Sequence, residues 1–345
     1  MEENTNDPQK EKEESTGYSK YGITDVPKTS IATSWGQTKT FAGLSRTELT
    51  FLLVTTVNIL TAIGLTLYSF IEVIKNDPEV PDFTFALLLL INAVFCLFYA
   101  FHGVLRERIY ELYVLIIAII VIVLYCTVEY GVNVNGRKTF KLVRMILTCV
   151  LAPPNIVLAW AVARDFGYLQ FRIVGASEFL QHLYAQASIF SCALKFDVQV
   201  TVSMVVLVLR KGTSLNVLEQ VVLGVGIPYS ILWNILGSVV LKKEWRSGAF
   251  VFAFLGLAKP SYYIYKIANE YVNIDDNLKQ SETITYAVLT AGILALLVWL
   301  IMMVELYIVC KNFGNGLKEI AFETAATEST SLITGRKQRH HNPLI

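Results

Sequence analysis

Eight apolar stretches, each long enough to cross a lipid bilayer as a helix, fill most of this chain. A membrane-spanning helix needs about 20 consecutive apolar residues. Stretches of about this length cover 49–74, 83–105, 112–130, 142–163, 187–209, 219–241, 248–268 and 284–310. Because lipid offers no hydrogen bonds to the backbone, lipid-facing segments must be helical. The sequence therefore predicts an all-α, polytopic integral membrane protein with about eight transmembrane helices, and seven is the alternative because 142–163 and 248–268 are the weakest stretches.

The composition agrees with a membrane location and argues against several functional classes. Of the 345 residues, 54% are hydrophobic and 17% are charged, whereas soluble domains average about 25% charged residues. A formal net charge of +1 gives no electrostatic basis for binding nucleic acid. The five cysteines have neither metal-ligand nor CxxC spacing, and we find no catalytic signature. We therefore expect no enzyme activity, cofactor or metal site, and we expect membrane lipids and a small solute or ion as partners.

The chain divides into a polar N-terminal tail, an apolar centre and a polar C-terminal tail. Residues 1–44 have almost nothing to bury, which predicts a disordered tail. Ser45 and Glu48 form a capping-box pattern directly before the first apolar stretch, so we expect order to begin there. A helical bundle is predicted for 45–310 and a largely disordered tail for 311–345. We find no convincing sequence repeat between the first four apolar stretches and the last four.

The distribution of lysine and arginine predicts that both tails are cytoplasmic. The tails and the loops on their side of the membrane hold 18 of the 29 basic residues. The opposite side holds nine, among which we count Arg144. Cytoplasmic segments are enriched in lysine and arginine, so this difference favours an even number of spans. The first apolar stretch begins too late and is too long for a cleaved signal peptide, so we expect it to remain in the protein.

Two charged residues and a polar stripe distinguish the stretch 187–209. Ionisable side chains in the middle of a membrane are costly and normally face a bundle interior or a water-filled cavity. Lys195 belongs to a stripe that repeats every four residues and therefore lies on one helix face, formed by Ser191, Lys195, Gln199 and Ser203. Asp197 points about 200° away from Lys195, so each charge is expected to meet a partner on a different helix. The stripe either lines a hydrated pathway or forms a structural hydrogen-bond network.

A lysine and a proline adjoin in the stretch 248–268. Proline removes a backbone donor, so Pro260 predicts a kink beside Lys259. Tyr263 lies one turn later on the same face. Lys259 is a candidate charge-coupling group, and the alternatives are a lysine that extends to the membrane interface and a structural ion pair. Pro154 and Pro228 predict kinks in two further stretches, and Asn234 follows the second of these prolines.

These patterns favour transport of a small solute or ion through a polar pathway lined by the fifth to seventh stretches. The candidate binding and pathway residues are Lys195, Asp197, Gln199, Ser203, Asn234, Lys259 and Tyr263. Breaks at Pro228 and Pro260 would allow gating. The alternatives are a receptor or sensor that signals through its tails, and a lipid-handling or scaffolding protein.

A short pattern in the C-terminal tail suggests a sorting signal. Glu328, Leu332 and Ile333 match the acidic dileucine pattern, in which an acidic residue precedes two aliphatic residues by four and five positions. Such a signal requires a cytoplasmic tail and an adaptor protein. We therefore expect the protein in the plasma membrane or in endosomes and lysosomes.

Overall fold

The chain is almost entirely helical in a computed structural model that describes residues 30–33, 36–76, 81–132, 139–207 and 217–318. Within these residues it forms a short β-hairpin and ten α-helices. The helices are α1 Arg46–Asn76, α2 Pro81–Leu105, α3 Ile109–Val132, α4 Thr139–Asp165, α5 Tyr168–Val174, α6 Glu178–Val206, α7 Val217–Lys243, α8 Arg246–Gly256, α9 Ala258–Val272 and α10 Ile274–Lys311.

The helices form two groups, which we call the first half (α1–α4) and the second half (α6–α10). In the first half, α1 packs against α2 and α4, and α3 packs against the same two helices. In the second half, α6 packs against α7 and α10. Helix α8 packs against α7, and helix α9 packs against α10. The pair α8–α9 therefore takes the place that α3 holds in the first half. Contacts of α6 with α2 and α3 join the halves.

The turn after the second helix is the same in both halves. Glu107 and Glu244 have positive φ angles of 48° and 49°. The Arg108 N–H donates to the Gly103 carbonyl oxygen at 2.8 Å, and the Trp245 N–H donates to the Val240 carbonyl oxygen at 3.1 Å. These six-residue hydrogen bonds, with a left-handed residue inside them, define a Schellman motif. Both halves therefore end their second helix in the same way.

The two turn glutamates also bind the segment that follows the fourth helix of their own half. Glu107 Oε2 accepts a hydrogen bond from the Gly167 N–H at 3.2 Å, and Glu244 Oε2 accepts one from the Gly314 N–H at 2.6 Å. Each of these glycines follows a phenylalanine, in the sequences Arg-Asp-Phe-Gly and Lys-Asn-Phe-Gly. The expectation that the chain contains no repeat is thus wrong at the level of architecture, since helix order, turn geometry and capping contacts recur.

Six of the described helices are long and apolar enough to cross a membrane, which suits a multi-pass membrane protein. They are α1, α2, α4, α6, α7 and α10. The apolar part of α3 over Ile109–Leu124 is shorter than a full span. The predicted seventh span, 248–268, is divided between α8 and α9. The total of eight spans stays a prediction.

The sequence predicts that order begins at Ser45, but the structure contains regular elements before that residue. Strands β1 (Ser30–Thr33) and β2 (Gly36–Lys39) pair antiparallel within the segment that was predicted to be tail. The predicted capping box is confirmed, because the Ser45 N–H donates to Glu48 Oε2 at 2.7 Å and the Glu48 N–H donates to Ser45 Oγ at 3.2 Å.

Lys39 connects the hairpin to the helical bundle. Its Nζ lies 2.7 Å from Glu48 Oε1 and 2.6 Å from Glu107 Oε1. Burial by itself lowers the pKa of Lys39, but hydrogen bonds and charge attraction to Glu107 and Glu48 outweigh burial and raise the pKa above its ordinary value of 10.5. The hairpin is therefore tied both to the start of α1 and to the turn before α3.

At the other end of the bundle, order continues past the last helix. Phe313 and Leu317 are buried in the core of the second half, so the bundle extends beyond the predicted boundary at residue 310. The segment 164–186, between the fourth and fifth apolar stretches, contains the end of α4, all of α5 and the beginning of α6.

Candidate functional site

A buried ion pair joins α6 and α9 in the centre of the second half. Lys259 Nζ contacts Asp197 Oδ2, and the two residues are 3% and 2% exposed. Lys195 instead pairs with Glu111 on α3. The prediction that Lys195 and Asp197 meet partners on different helices is confirmed. The geometry follows from their spacing of two residues, which directs the side chains to opposite faces of α6.

The ammonium group of Lys259 has a hydrogen-bond acceptor for each of its three protons. It donates to the Asp197 carboxylate, to Ser230 Oγ at 2.9 Å and to Thr201 Oγ1 at 3.3 Å. It also lies 4.3 Å from the centre of the Trp233 ring, within range of a cation–π contact. Two helices, α6 and α7, thus supply the groups that replace water around this charge on α9.

Tyr263 completes the site. The Thr201 hydroxyl donates to the Asp197 carbonyl oxygen at 2.8 Å. The Tyr263 hydroxyl, 2.8 Å from Thr201 Oγ1, is therefore the donor in that second contact. The result is a continuous chain of hydrogen bonds from Tyr263 through Thr201 to Lys259, and all of its members are buried.

The site lies where the third helix of the second half is interrupted. The chain leaves α8 at Gly256, passes through Leu257 and begins α9 at Ala258. Pro260 lies in the first turn of α9, where helical N–H groups have no intrahelical acceptor and a proline is tolerated. Leu257 keeps helical dihedral angles, with φ −66° and ψ −21°. The interruption therefore lies in the turn before Pro260, where a proline removes one backbone hydrogen bond.

Aromatic side chains from neighbouring helices satisfy the carbonyl groups at this interruption. Trp299 Nε1 donates to the Gly256 carbonyl oxygen at 3.0 Å, which is the oxygen that an N–H at Pro260 would otherwise bind. Tyr229 donates to the Leu255 carbonyl oxygen at 2.6 Å, and Trp233 Nε1 donates to the Phe252 carbonyl oxygen at 2.9 Å. An interrupted helix is tolerated at membrane depth only where protein supplies such partners.

Gly256 lets the indole of Trp233 reach this position. A Cβ atom at residue 256 would lie 2.8 Å from Trp233 Cζ2, closer than real Cβ contacts. The Trp233 ring stacks on Phe252 with centroids 4.2 Å apart and planes 10° apart. The same indole thus packs on α8, binds a carbonyl oxygen of α8 and faces the charge on α9.

The polar stripe of α6 forms the contact surface between the two halves. Lys195 Nζ lies 2.5 Å from Glu111 Oε1, and Glu111 Oε2 lies 2.6 Å from His102 Nδ1. Gln199 Nε2 donates to Asn92 Oδ1 at 2.7 Å, and Asn92 Nδ2 donates to Ser203 Oγ at 3.3 Å. These contacts match the structural-network interpretation of the stripe, since its partners lie on α2 and α3.

The other predicted residues are placed away from Lys259. Asn234 donates through Nδ2 to the Leu194 carbonyl oxygen. Pro154 and Pro228 lie on exposed faces of α4 and α7, and both helices continue past them without interruption. Neither proline therefore interrupts its helix, and the kinks predicted at Pro154 and Pro228 stay predictions. A single missing backbone hydrogen bond leaves the other backbone hydrogen bonds of the helix in place.

Sequence reasoning missed several residues of this structure. Ser230 and Trp233 are absent from the predicted site, although their spacing of three residues places them on one face of α7. Glu111 lies just outside the predicted stretch 112–130, and the structure places it in the first turn of α3. Arg144 was counted as a loop charge outside the membrane, whereas it lies within α4 and is only 6% exposed.

Two further predictions concern metal binding and sorting. Among the residues that the structure describes, no group of three His, Cys, Asp or Glu side chains could hold a metal ion. Glu328, Leu332 and Ile333 lie outside the described residues, so the sorting signal and its adaptor stay predictions.

Comparison with known proteins identifies a family without assigning an activity. The family described as "Domain of unknown function (DUF7789)" matches residues 35–164 and 174–308. The first matched segment contains α1–α4 apart from the last residue of α4. The second contains the last residue of α5 and all of α6–α10 apart from the last three residues of α10. The boundary between the segments thus coincides with the boundary between the halves. Comparisons with curated proteins and with solved structures found no match.

Proposed function

The chain belongs to the DUF7789 family, and we propose that it transports a small solute or ion across a membrane, with Asp197 and Lys259 as the charge-coupling pair. One observation carries this proposal. A fully buried lysine and aspartate meet beside the junction between α8 and α9. Transporters commonly place substrate and ion sites at discontinuous helices near the middle of the membrane.

The pair has the properties that a coupling group needs. Asp197 and Lys259 belong to α6 and α9, so movement of one helix relative to the other separates or joins the charges. Buried ion pairs are seldom net stabilising, because desolvation offsets their attraction. Residues of this kind within apolar helices commonly mark ion and proton pathways.

The site also has polar groups that could exchange partners during a transport cycle. Ser230 and Thr201 offer hydroxyl oxygens to the ammonium group, and Tyr263 donates to Thr201. A cation or a proton that neutralised Asp197 would leave Lys259 bound to Ser230 and Thr201 and make its third proton available to a solute anion. The proposed coupling is therefore a competition for the Asp197 carboxylate.

Electrical recording from reconstituted protein tests this proposal. Liposomes that contain the full chain are adsorbed on a solid-supported electrode and exposed to amino acids, organic cations, carboxylates, sugars and inorganic ions, with and without a pH gradient. We expect one class to give a saturable current. The double variant Asp197→Leu with Lys259→Ile is expected to remain folded and to lose that current.

A matched control removes the other ion pair between α6 and its neighbours. The double variant Glu111→Gln with Lys195→Gln neutralises the charges at the contact between the halves, and we expect it to keep the current. A normal current in the Asp197→Leu/Lys259→Ile variant would show that the ion pair has a structural role only. Absence of current for every class with folded wild-type protein would contradict transport and favour the receptor alternative.

A further inference from the structure

Basic side chains from both halves meet at the end of the bundle where α2 and α7 finish. Arg106 and Arg108 lie in the turn between α2 and α3, and Lys242 lies in the last turn of α7. The N-terminal hairpin contacts Glu107, and the segment after α10 contacts Glu244. The tails therefore join the bundle at this end, which the distribution of lysine and arginine predicts to be cytoplasmic.

Two side chains of α6 hold Arg108 in place. Arg108 Nη1 donates to Ser188 Oγ, and the centre of the guanidinium group lies 5.1 Å from the centre of the Tyr184 ring. Ser188 and Tyr184 are 6% and 8% exposed, so the core fixes both. A guanidinium group has five N–H donors. The hydroxyl group and the aromatic ring therefore orient Arg108, and neither carries a formal charge that would neutralise it.

The end of α7 packs antiparallel against the beginning of α6. Asn234 Nδ2 donates to the Leu194 carbonyl oxygen, and seven residues further along, Leu241 lines a small pocket with Leu183. Positions seven residues apart share one face of a helix, so Asn234 and Leu241 mark the face of α7 that meets α6. The last turn of α7 therefore lies beside the first turns of α6, where Arg108 is held.

Lys242 follows Leu241 directly and adds its charge to those of the two arginines. The Lys242 ammonium group is close enough to Arg106, Arg108 and Lys195 for all three to repel it. The pKa of Arg106 lies below its ordinary value, mainly because of burial and further because the positive charge of Arg108 is near. Four basic groups thus share one region at the contact between the halves.

The carboxylate of Glu111 in this region is bound by two other groups. Glu111 Oε1 lies 2.5 Å from Lys195 Nζ, and Glu111 Oε2 lies 2.6 Å from His102 Nδ1. Glu111 thus balances the charge of Lys195, while the two arginines and Lys242 carry three further positive charges. Like charges that are held close together repel one another. An anion with more than one negative charge, bound among them, would relieve this repulsion.

We propose that Arg106, Arg108 and Lys242 bind a phosphate group at the junction of the two halves. Guanidinium groups bind phosphate oxygens through paired hydrogen bonds, and a lysine adds a compact charge. Basic pockets between membrane helices bind the phosphate-bearing head groups of lipids on the cytoplasmic side. A lipid head group and a soluble phosphate ester offer the same chemistry to this site. The inference does not depend on the proposed transport.

Thermal unfolding of the full chain in a neutral detergent tests the inference with three probes. Dioctanoylphosphatidic acid, below its micelle concentration, carries the phosphate on a lipid. Glycerol 3-phosphate carries it without acyl chains, and dioctanoylglycerol has the acyl chains alone. We expect dioctanoylphosphatidic acid to raise the unfolding midpoint by several degrees in a dose-dependent manner, and the rise to shrink as the salt concentration increases. A comparable rise with glycerol 3-phosphate assigns the site to soluble phosphate esters, whereas a rise with the lipid alone assigns it to lipid head groups.

Variants locate the binding site. Lys242→Gln and the double variant Arg106→Gln/Arg108→Gln are each expected to weaken binding of dioctanoylphosphatidic acid by at least about tenfold, because each loses hydrogen bonds from a charged donor to the phosphate. Lys242→Arg keeps the charge and is expected to bind nearly normally. Lys243→Gln, a change of the exposed lysine next to Lys242, is the matched control and is expected to keep nearly normal affinity.

Four results would overturn the inference. A failure of both phosphate probes to raise the midpoint would show that no phosphate binds. Dioctanoylglycerol as effective as dioctanoylphosphatidic acid would show that the phosphate plays no part. A loss of affinity in Lys243→Gln as large as in Lys242→Gln would indicate diffuse attraction to a basic surface. Unchanged affinity in Lys242→Gln and in the double arginine variant would place the phosphate elsewhere, and Arg106→Gln replaces the double variant if that variant fails to fold.

Discussion

In the first half of the protein, residues of α1–α4 line a space that is open on one side, whereas in the second half the same arrangement of helices surrounds Lys259 and its partners. The outer features agree closely. Glu107 and Glu244 lie in turns of the same geometry, and each accepts a hydrogen bond from the glycine of a Phe-Gly pair after the fourth helix of its own half. The difference lies in the centres. One architecture therefore tolerates either such an open space or a buried charge network, provided that the polar groups of each centre find partners.

The first prediction makes the centre of the second half resemble that of the first. Asp197→Leu alone, or Lys259→Ile alone, leaves one buried charge without its partner and is expected to destabilise the fold by about 3–5 kcal/mol. The double variant carries the residues found at the corresponding positions of the first half. Leu65 follows Ser45 by 20 residues as Asp197 follows Ser177, and Ile122 follows Glu107 by 15 residues as Lys259 follows Glu244. The double variant is expected to be about as stable as the wild type. Thermal unfolding in detergent measures all three.

The outcome would decide how far the halves correspond. If the double variant is as unstable as either single variant, the second half needs the ion pair for its packing. The correspondence of the two centres would then be limited to backbone positions.

The second prediction concerns the close approach that only the second half requires. Gly256→Ala places a Cβ 2.8 Å from Trp233 Cζ2 and is expected to cost about 1–3 kcal/mol through overpacking. Gly224→Ala, on α7, meets no atom within 4 Å and serves as the control. That substitution is expected to be neutral or to stabilise by up to about 1 kcal/mol. Equal unfolding midpoints for the two variants would show that Trp233 moves without cost.

The features that the sequence predicted follow from rigid local geometry. The separate partners of Lys195 and Asp197 follow from the angle of 100° between successive residues of a helix. The capping box at Ser45 and Glu48 follows from a spacing that allows two reciprocal hydrogen bonds. The apolar helices follow from the length that a bilayer requires.

What the sequence did not predict depends on contacts between distant segments. The two halves share a turn glutamate and a Phe-Gly pair, while their interior residues differ in chemistry, so the repeat is visible in the contacts rather than in the residue pattern. Arg144 was assigned to a loop because a charge near the end of an apolar stretch looks exposed until its neighbours are known. The interruption lies in the turn before Pro260, but the partners of the α8 carbonyl oxygens, Trp233, Tyr229 and Trp299, come from distant segments and were not predicted.

The third prediction compares the two turn glutamates. Glu244→Gln weakens hydrogen bonds to the N–H groups of Gly314 and Lys318. Glu107→Gln weakens the bond to Gly167 and also removes a carboxylate from Lys39. Both are expected to destabilise by about 1–2 kcal/mol, with Glu107→Gln the larger effect. The reverse order in chemical denaturation would mean that the hairpin adds nothing to the stability of the first half.

The smallest expected effect concerns the ion pairs of Lys39. Lys39 pairs with Glu48 and Glu107, which both belong to the first half. The pKa of Lys39 is raised above 10.5 in the folded protein by Glu107 and Glu48. The stabilisation is therefore complete below about pH 10.5 and is lost as pH rises through the folded pKa. Lys39→Met is expected to lower the unfolding midpoint at pH 8, and the difference from wild type is expected to shrink above pH 10.5. A difference that stays constant over this range would show that Lys39 stabilises the hairpin by packing of its aliphatic chain rather than by its charge.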